Sequence, residues 1–258
     1  MTSGTTHFEN VTLLITHYNR SKSLERLLAA FNDLNCSFHE IIVSDDGSKP
    51  EHLDHINDLK SKYNFKLITV PKNSGLGNNI NKGQDAVKTD YTLYVQEDFI
   101  PLESFPVHFK NGLDILEEDK HADTVRFYSY ITYPHLIPFK NGFSEMIFDT
   151  WSLNIDRITM YSDHPHLRRS NFLEKFGRYP EMKNPEKTEY DIMISFLKHK
   201  GKAYIFTDYK SVFEQVNTSH EPSTMERNHW RNSGSFFISI ARYFYRHFKF
   251  YYYYFFKR

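Results

Sequence analysis

The chain has 258 residues, a length that fits one domain of ordinary size with a short appended segment better than two full domains. Lys plus Arg and Asp plus Glu both total 32, so the net charge is zero and no overall electrostatic field would recruit nucleic acid or another polyanion. Cys36 is the only cysteine, which excludes an internal disulfide and favours a reducing compartment.

Four apolar, β-branched runs in the first hundred residues are predicted to be buried strands. They cover residues 11–16, 40–44, 66–70 and 91–96, and segments with apolar residues at helical spacing follow the first three of them. The second of these helices is predicted to begin with a capping box formed by Ser48 and Glu51. Alternation at this short spacing predicts right-handed crossovers and a mostly parallel α/β sheet covered by helices on both faces.

Polar clusters follow three of these predicted strands. Residues 16–20, residues 45–48 and the pair Glu97 and Asp98 each come directly after an apolar run. Because the carboxyl ends of parallel strands meet at one edge of a sheet, we expect these clusters to converge on a ligand-binding crevice. Carboxylates at such an edge suit Mg²⁺ or Mn²⁺ with a bound diphosphate. Acidic residues after a strand also serve as turn formers, and this alternative stays open.

Two common phosphate-binding loops are missing from the sequence. There is no Gly-x-x-x-x-Gly-Lys-Ser/Thr segment and no Gly-x-Gly-x-x-Gly segment after the first predicted strand, and Gly75 and Gly77 alone are too few for such a loop. These absences argue against an ATPase and against a dinucleotide-dependent dehydrogenase. Nucleotidyl transfer is disfavoured as well, because the polar residues after the first strand replace the glycine-rich basic loop that it would need.

The regular alternation of strands and helices breaks after Phe99. The elements predicted for the second half are a helix over residues 105–116, a strand over 124–130, a loop-rich smaller lobe over 133–161, helices over 171–176 and 188–199, and a strand over 201–207. The lobe is expected to pack over the crevice. Trp151 within it is either a stacking face for a sugar or a core residue.

The C-terminal tail is rich in aromatic and basic residues. At helical pitch, Phe237, Ile240, Ala241, Phe244, Phe248, Tyr251 and Phe255 form one stripe, and Arg242, Arg246 and Lys249 form another on the opposite side. Its charges recur too often for a membrane span. The two stripes predict an amphipathic interfacial helix with aromatic rings at headgroup depth and cations toward anionic lipid. The alternative is a helix docked on the core or on a second subunit.

Four segments in order carry a family resemblance. They look like the motifs of the inverting, GT-A-fold glycosyltransferases of family two, and they cover residues 14–20, 41–48, 73–77 and 95–98. The resemblance covers the first hundred residues well and the remainder loosely. It implies a Rossmann-like α/β fold with a smaller acceptor-side lobe. It also implies transfer of a sugar from a nucleotide-diphosphate sugar, expected to be a UDP-sugar, to an acceptor hydroxyl.

The resemblance also implies roles for residues on the donor side of the crevice. Thr16 and Tyr18 would contact the nucleotide, and Asp45 would bind the base edge. Glu97 would face the donor sugar or the ribose, and Asp98 would ligate Mn²⁺ or Mg²⁺, although Gln96 and Glu97 stand where aspartates are commoner in the family. The remaining candidates for donor binding are Asn19, Arg20, Asp46 and Gly75.

The acceptor side needs a general base, which this family usually takes from a Glu-Asp pair at the start of a helix. Here the sequence reads Glu189-Tyr190-Asp191, so the base is Glu189 or Asp191, and we favour Glu189 because it aligns directly with the Glu of the pair. Acidic residues in a first helical turn also complement the helix dipole, which is the structural alternative. The other candidates are Trp151 and Glu181 for the acceptor and His220 as a late metal ligand.

These inferences predict a glycosyltransferase domain over residues 1–232, with a nucleotide-binding half over 1–100 and an acceptor-binding half over 101–232, followed by a tail over 233–258. The N-terminus lacks the apolar core of a signal peptide, so a cytoplasmic protein is expected, peripheral on the inner face of a bacterial membrane. It would act in surface polysaccharide or lipid-linked glycan synthesis. The alternative is a non-catalytic nucleotide-sugar-binding module of a membrane polysaccharide assembly complex.

Overall fold

The computed structural model describes residues 5–182, 184–217, 221 and 236–257. The strands in chain order are β1 (Thr6–His17), β2 (Cys36–Asp45), β3 (Lys66–Ile68), β4 (Tyr91–Gln96), β5 (Phe99–Pro101), β6 (Thr124–Arg126), β7 (Leu136–Pro138), β8 (Phe143–Met146), β9 (His166–Arg169), β10 (Ala203–Phe206) and β11 (Phe213–Gln215). The α-helices are α1 (Ser21–Asp33), α2 (Pro50–Lys62), α3 (Leu76–Gln84), α4 (Phe105–Glu118), α5 (Phe172–Phe176), α6 (Pro185–Lys198) and α7 (Phe236–Phe255). A 3-10 helix spans Ile155–Met160.

Nine strands form one large sheet in the order β3-β2-β1-β4-β9-β6-β10-β8-β7. The first four in sequence pair in parallel, as does β6 with β10, whereas β9 runs antiparallel between β4 and β6. A second, two-stranded sheet joins β5 to β11. The predicted α/β fold is therefore confirmed, and antiparallel strands make its second half mixed.

The central strands are buried because helices cover both faces of the sheet. Residues Leu13, Leu14 and Ile15 of β1 have no exposed surface, and they belong alternately to the cores on the two sides of the sheet. On one side α1 contributes the apolar face predicted by its spacing, which consists of Leu24, Leu27, Leu28 and Phe31. Full burial of one such side chain contributes roughly 1.5–3 kcal/mol. This rigid core fixes the strand ends that form the crevice.

The predicted capping box at the second helix is wrong. Helix α2 begins at Pro50 with Lys49 at the N-cap position, and no side chain caps it. The hydroxyl of Ser48 donates to Asp45 instead. The Ser48 hydroxyl is therefore bonded to a buried carboxylate and does not cap the helix. The fixed φ of Pro50 suits the first position of a helix even without a cap.

The last helix, α7, is docked on the rest of the chain along its C-terminal half. Phe250 has no exposed surface, and the Arg157 guanidinium lies 4.9 Å from the centre of its ring. Lys257, just after the helix, pairs with Asp191 at 2.9 Å. Among the described residues, no helix has the length and apolar character needed to cross a membrane.

Candidate active site

A cavity of about 1160 Å³ opens where the central strands end. It lies between Gln96 at the end of β4, the segment around Asp163, the first turns of α6, and the N-terminal half of α7. Pockets of this size bind small molecules as large as nucleotides and sugars. Its lining includes Gln96 and Arg126 at the carboxyl ends of β4 and β6, whereas the predicted polar clusters, which are residues 16–20, residues 45–48, Glu97 and Asp98, are not among the described residues that line it.

Glu97 and Asp98 form the turn after β4, next to the side chain of Arg20. Asp98 Oδ2 lies 3.2 Å from an Arg20 guanidinium nitrogen, and Glu97 Oε1 lies 3.7 Å from the same nitrogen. Gln215 Nε2 donates to Asp98 Oδ2 at 2.9 Å, whereas Asp98 Oδ1 is buried and has no hydrogen-bond partner among the described residues. Burial and the charge of Asp98 raise the pKa of Glu97 to about 8 against the opposing effect of Arg20.

This geometry allows Asp98 to bind a divalent cation through one carboxylate oxygen, Oδ1. Mg²⁺ sites often use one or two carboxylates, with water and phosphate oxygens as the other ligands, and the unpartnered Oδ1 of Asp98 is such a donor. No group of three or more His, Cys, Asp or Glu side chains that could hold a metal occurs within the described part of the chain. His220, the other predicted ligand, lies outside the described residues.

Arg20 is held in place by residues from a late segment of the chain. Its guanidinium donates to Asn217 Oδ1 at 2.8 Å and to the carbonyl oxygen of Glu221 at 3.2 Å. The Glu221 carboxylate in turn accepts backbone N–H bonds from Lys22 and Ser23 in the first turn of α1. A carboxylate at a helix N-terminus is favourable, so Glu221 anchors a late segment of the chain beside the strand ends. Sequence reasoning missed this residue because the two partners are about 200 positions apart.

Asp45 already accepts five hydrogen bonds within the protein. They come from His17 Nδ1, Thr69 Oγ1, the backbone N–H of Gly47, and both the backbone N–H and the hydroxyl of Ser48. Although burial opposes ionisation, the bonds from His17, Ser48 and Thr69 hold the pKa of Asp45 well below its usual range. A nucleotide base could bind this carboxylate only by displacing one of these donors, because its lone pairs are filled.

Asp46, Asn19 and Gly75 connect the loops of the donor side. The Asp46 carboxylate accepts the backbone N–H groups of Ser74 and Gly75, both at 2.9 Å. Asn19 N–H donates to Ser48 Oγ at 2.8 Å, and Asn19 Oδ1 accepts the N–H of Lys49 at 2.8 Å. Gly75 has φ of 92°, which favours glycine. The structure thus places these residues at the predicted edge, with their polar groups engaged in shaping its loops.

Thr16 and Tyr18 stand at the end of β1. The Thr16 hydroxyl is buried and shares a 3.0 Å hydrogen bond with Tyr94 OH, so its side chain points into the core. Tyr18 is half-buried in the loop that follows. Thr16 pairs with Gln96 on β4 and with Ser44 on β2, which places the predicted nucleotide contacts beside the strand ends that carry the carboxylates.

An acidic pair, Asp163 and Glu189, lies at the wall of the cavity. Asp163 N–H donates to Glu189 Oε1 at 3.0 Å, and both carboxyl groups line the cavity. Burial raises the pKa of Glu189 despite the Asp163 hydrogen bond and the charge of Arg126, and burial together with the charge of Glu189 raises the pKa of Asp163 to about 8. Burial thus disfavours the charged form of both carboxyl groups.

Asp163 is fixed from behind by a buried polar network. Tyr179 OH donates to Asp163 Oδ1 at 2.8 Å and also bonds Tyr161 OH, to which Arg168 donates at 3.1 Å. Asp163 Oδ2 is buried and has no hydrogen-bond partner among the described residues. Sequence reasoning missed Asp163. It is a single aspartate that precedes β9, and no regular spacing of residues in the sequence predicts that β9 lies antiparallel between β4 and β6.

Asp191 and Trp151 lie outside the cavity. The Asp191 carboxylate pairs with Lys257 at 2.9 Å. Because residues two positions apart on a helix point to different sides, Asp191 does not share the direction of Glu189. Trp151 is 70% exposed and packs beside Tyr251 and Phe255 of α7, so the described crevice does not use it as a stacking platform for a sugar. Glu181, the third of these candidates, accepts from Asn78 and Asn81 of α3, both at 3.1 Å.

The basic residues of α7 border the cavity, and the predicted contact of this helix with a membrane stays a prediction. Arg242, Arg246 and Lys249, expected to face anionic lipid, line the cavity together with Ala241 of the opposite predicted stripe. Most of the other members of that stripe point outward, with Phe244 65% and Phe248 71% exposed. The spacing identified the two faces of the helix, but the choice of the inward face depends on contacts with distant segments.

A family model agrees with the fold. The model described as Glycosyl transferase family 2 matches residues 12–166, which contain the strand ends of the donor side and Asp163. Two similar curated proteins are poly-β-1,6-N-acetyl-D-glucosamine synthases. That of Staphylococcus aureus is 27% identical over 113 residues, or 44% of this chain and 26% of that protein. That of Staphylococcus epidermidis is 27% identical over 92 residues, or 36% and 22%. The chain therefore matches only about a quarter of the length of these relatives.

Solved structures show the same fold at low sequence identity. S. aureus TarS residues 1–349 in complex with UDP-GlcNAc aligns with a TM-score of 0.61 and 17% identity, covering 93% of this chain and 73% of that one. The mannosyltransferase PcManGT from Pyrobaculum calidifontis, in complex with GDP-Man and Mn²⁺, aligns with a TM-score of 0.56 and 13% identity, covering 84% and 60%.

Proposed function

The chain belongs to glycosyl transferase family 2, and we propose that its crevice transfers a sugar from a nucleotide-diphosphate sugar to an acceptor hydroxyl with inversion at the anomeric carbon. The observation that carries this proposal is a cavity lined by both Glu189 and Gln96, the residue that precedes Glu97 and Asp98 at the end of β4. In-line displacement needs a charged binding site for the leaving group on one side and a base on the other.

The donor binds at the ends of β1, β2 and β4. UDP-sugars are the proposed donors, and the complex of TarS with UDP-GlcNAc supports this nucleotide. Arg20, buried against Glu97 and Asp98, supplies positive charge close to the diphosphate. Asp98 Oδ1 would hold Mn²⁺ or Mg²⁺, which when bound supplies a Lewis acid that neutralises charge developing on the departing diphosphate.

Glu189 is the proposed base. It faces the cavity, whereas Asp191, the alternative raised by the sequence, pairs with Lys257 outside it. Its raised pKa makes it a better proton acceptor than an ordinary glutamate, since a base works best when its pKa is close to the working pH. The N–H of Asp163 orients one carboxylate oxygen and leaves the other for the acceptor hydroxyl.

The biological setting is the cytoplasmic face of a bacterial membrane, in the synthesis of a surface polysaccharide or a lipid-linked glycan. Two findings support this: the similar curated proteins are polysaccharide synthases, and α7 turns aromatic side chains outward. Residues 1–100 would hold the donor and residues 101–232 the acceptor, and the tail over 233–258 would contribute its inner face to the acceptor side and its outer face to the membrane.

Contact with the membrane is tested at the outer face of α7. The variant with both Phe244→Ser and Phe248→Ser is expected to pellet at least several-fold less with vesicles than the native chain, because exposed aromatic rings contribute most to interfacial binding. Phe139→Ser, at another half-exposed phenylalanine, is the matched control and should pellet normally. Equal pelleting of all three proteins would remove the membrane from the proposal.

Donor binding is tested by thermal shift. UDP at ~100 times its dissociation constant should raise the apparent stability by about 2.7 kcal/mol, because it binds only the folded chain. We expect the shift to be larger with Mn²⁺ present than with EDTA, since the metal joins Asp98 to the diphosphate. Absence of any shift with UDP, GDP or their sugar conjugates would contradict the assignment of the crevice.

A non-catalytic nucleotide-sugar-binding module is the second candidate. The specific observation that favours it is Tyr190, which stands at the position of the aspartate of the family's Glu-Asp pair. Its hydroxyl is buried and has no hydrogen-bond partner among the described residues, so it does not supply an obvious replacement base. The two candidates differ in one result, since a binding module would bind UDP and release none from a UDP-sugar.

A further inference from the structure

Gln215 joins the candidate metal ligand to the wall of the cavity. Its side-chain nitrogen Nε2 donates to Asp98 Oδ2 at 2.9 Å, and its side-chain oxygen Oε1 accepts from the hydroxyl of Tyr130. Gln215 and Tyr130 both line the cavity, whereas Asp98 is not among the described residues that line it. The side chain of Gln215 therefore bridges the cavity wall and the carboxylate at the end of β4.

The backbone fixes the position of this bridge. Gln215 is the last residue of β11, which pairs antiparallel with β5, and it lies opposite Phe99, the residue that follows Asp98. The N–H of Val216 donates to the carbonyl oxygen of Asp98 at 2.8 Å and closes this end of the pair. Gln215 and Asp98 are 117 positions apart in the chain, so the strand pairing is what brings the amide to the carboxylate.

The two carboxylate oxygens of Asp98 have different surroundings. Oδ2 is held by Gln215 and by Arg20, whose guanidinium nitrogen lies 3.2 Å away. Oδ1 is buried and has no hydrogen-bond partner among the described residues. A buried carboxylate oxygen without a donor is costly, and a bound cation would remove this cost. Because the contacts at Oδ2 restrict rotation of the carboxylate, they keep Oδ1 available for such a cation.

An amide can hold Oδ2 without adding a charge to the site. A carboxylate only accepts hydrogen bonds, so the amide nitrogen of Gln215 donates to it and the amide oxygen remains for the hydroxyl of Tyr130. A lysine or arginine at this position would add a positive charge beside that of Arg20 and would oppose a cation. A glutamate would repel Asp98. Gln215 therefore satisfies Oδ2 and leaves the charge of the site unchanged.

Tyr130 holds the amide of Gln215 from the other side. The Tyr130 ring packs edge-on against the ring of His164, with 4.5 Å between the ring centres, and against that of Tyr128 at 5.4 Å. These contacts place its hydroxyl at Gln215 Oε1. Tyr130 is 56% exposed, so its hydroxyl can be removed with little effect on the packing of the core.

We propose that Gln215 is a positioning residue for metal binding, which holds Asp98 so that Oδ1 is directed at a divalent cation, and that Tyr130 fixes the amide of Gln215. This inference rests on the proposed function, since it concerns the cation that Asp98 would bind there. Groups that hydrogen-bond to a metal ligand orient it and tune its basicity, and replacing them typically lowers metal affinity about 10–100-fold. An effect of this size is expected for the loss of Gln215.

The test measures how much Mn²⁺ is needed for the Mn²⁺ increment, which is the part of the UDP thermal shift that EDTA abolishes. Gln215→Met keeps the length of the side chain and removes both hydrogen bonds. We expect it to need ~10–100 times more Mn²⁺ than the native chain for half of the increment. In EDTA its UDP shift should equal the native one, because the role of Gln215 is confined to the cation. Tyr130→Phe should raise the Mn²⁺ requirement by a smaller factor.

Glu214→Met is the matched control. Glu214 is the exposed neighbour of Gln215 on β11, and successive residues on a strand point to opposite faces. This variant places the same new side chain on the same strand and keeps the hydrogen bond from Gln215 to Asp98, so its Mn²⁺ requirement should be native. Asp98→Asn, measured alongside, should lose the increment at every Mn²⁺ concentration.

The outcomes separate this inference from the function on which it rests. A native Mn²⁺ requirement in Gln215→Met, or an equal loss of its UDP shift in EDTA and in Mn²⁺, overturns the role of Gln215, while loss of the increment in Asp98→Asn still supports the metal site. An increment that survives in Asp98→Asn contradicts the proposed metal site, and absence of any UDP shift in the native chain contradicts the proposed function. Either of these two results also overturns the role of Gln215.

Discussion

Glu189→Gln is expected to reduce sugar transfer by about 10²–10⁴-fold, because the amide cannot accept the proton of the acceptor hydroxyl. The shape of the side chain is kept, and the Asp163 N–H can still donate to the remaining carbonyl oxygen. Binding of UDP should be unchanged, since Glu189 is not among the proposed donor contacts. The rate of UDP release from a UDP-sugar, with binding measured in parallel, checks both statements.

The pH profile adds a second observable to this prediction. A base must be deprotonated to act, and burial raises the pKa of Glu189. Transfer by the native chain should therefore rise with pH, with an acid limb above the ordinary glutamate pKa of about 4.3. In Glu189→Gln this limb should disappear from whatever activity is left.

Asp191→Asn is the matched control for the base. Asp191 lies two positions away on the same helix, and it pairs with Lys257 outside the cavity. Its loss removes a partly exposed ion pair, which contributes about 0–1 kcal/mol to stability. Transfer should stay within a few-fold of the native rate. Strong loss in Asp191→Asn together with normal transfer in Glu189→Gln would assign the base to Asp191 and contradict the geometry.

Asp98→Asn is expected to lower transfer by at least ~100-fold and to abolish the part of the UDP thermal shift that depends on Mn²⁺. The amide removes the charge from the buried oxygen that has no hydrogen-bond partner among the described residues, and the departing diphosphate loses a preorganised counter-charge. Glu97→Gln should cost less, since burial and the charge of Asp98 raise the pKa of Glu97 and so already disfavour its charged form.

Asp85→Asn is the control for a nonspecific effect of losing a carboxylate. Asp85 pairs with Arg178 at the surface, at 2.7 Å. Its replacement should leave both the transfer rate and the Mn²⁺-dependent shift close to native. If Asp98→Asn behaves like this control, Asp98 has no role in metal or diphosphate binding.

The nucleotide-binding half of the fold was predictable because its elements follow from local patterns. Period-two and period-3.6 apolar spacing specified the strands and helices up to Gln96, and the rule that parallel strands place their carboxyl ends together located the crevice. The family and the GT-A fold are confirmed. The resemblance to family two glycosyltransferases rests on the same residues, because the motifs of that family stand at the ends of these strands in a fixed order.

The second half of the site was not predictable in the same way. Strand β9 inserts antiparallel between β4 and β6, and it is this pairing that brings Asp163 to Glu189. Likewise, Glu221 reaches α1 only through tertiary contacts, and α7 chooses its inward face by packing on Leu153 and Arg157. Long-range pairing leaves no periodic signal in the sequence, so spacing identified the two faces of α7 but not the residues that each face contacts.

The loop contacts of Asp45 and Asp46 show a further limit. From the sequence, acidic residues after a strand are either ligands for a substrate or formers of a turn. The structure shows five hydrogen bonds to Asp45 and two backbone bonds to Asp46, so these carboxylates organise the loops at the ends of the strands. Their roles toward the nucleotide stay predictions.

The central claim is that this crevice breaks the bond between a sugar and a nucleoside diphosphate. The most direct measurement is the release of UDP from a panel of UDP-sugars with Mn²⁺ present and water as the acceptor, compared among the native chain, Asp98→Asn and Glu189→Gln. The native chain should release UDP from at least one donor, and both variants should release it at least ~100-fold more slowly. Binding of UDP without release by the native chain, or equal release by all three proteins, would contradict the claim.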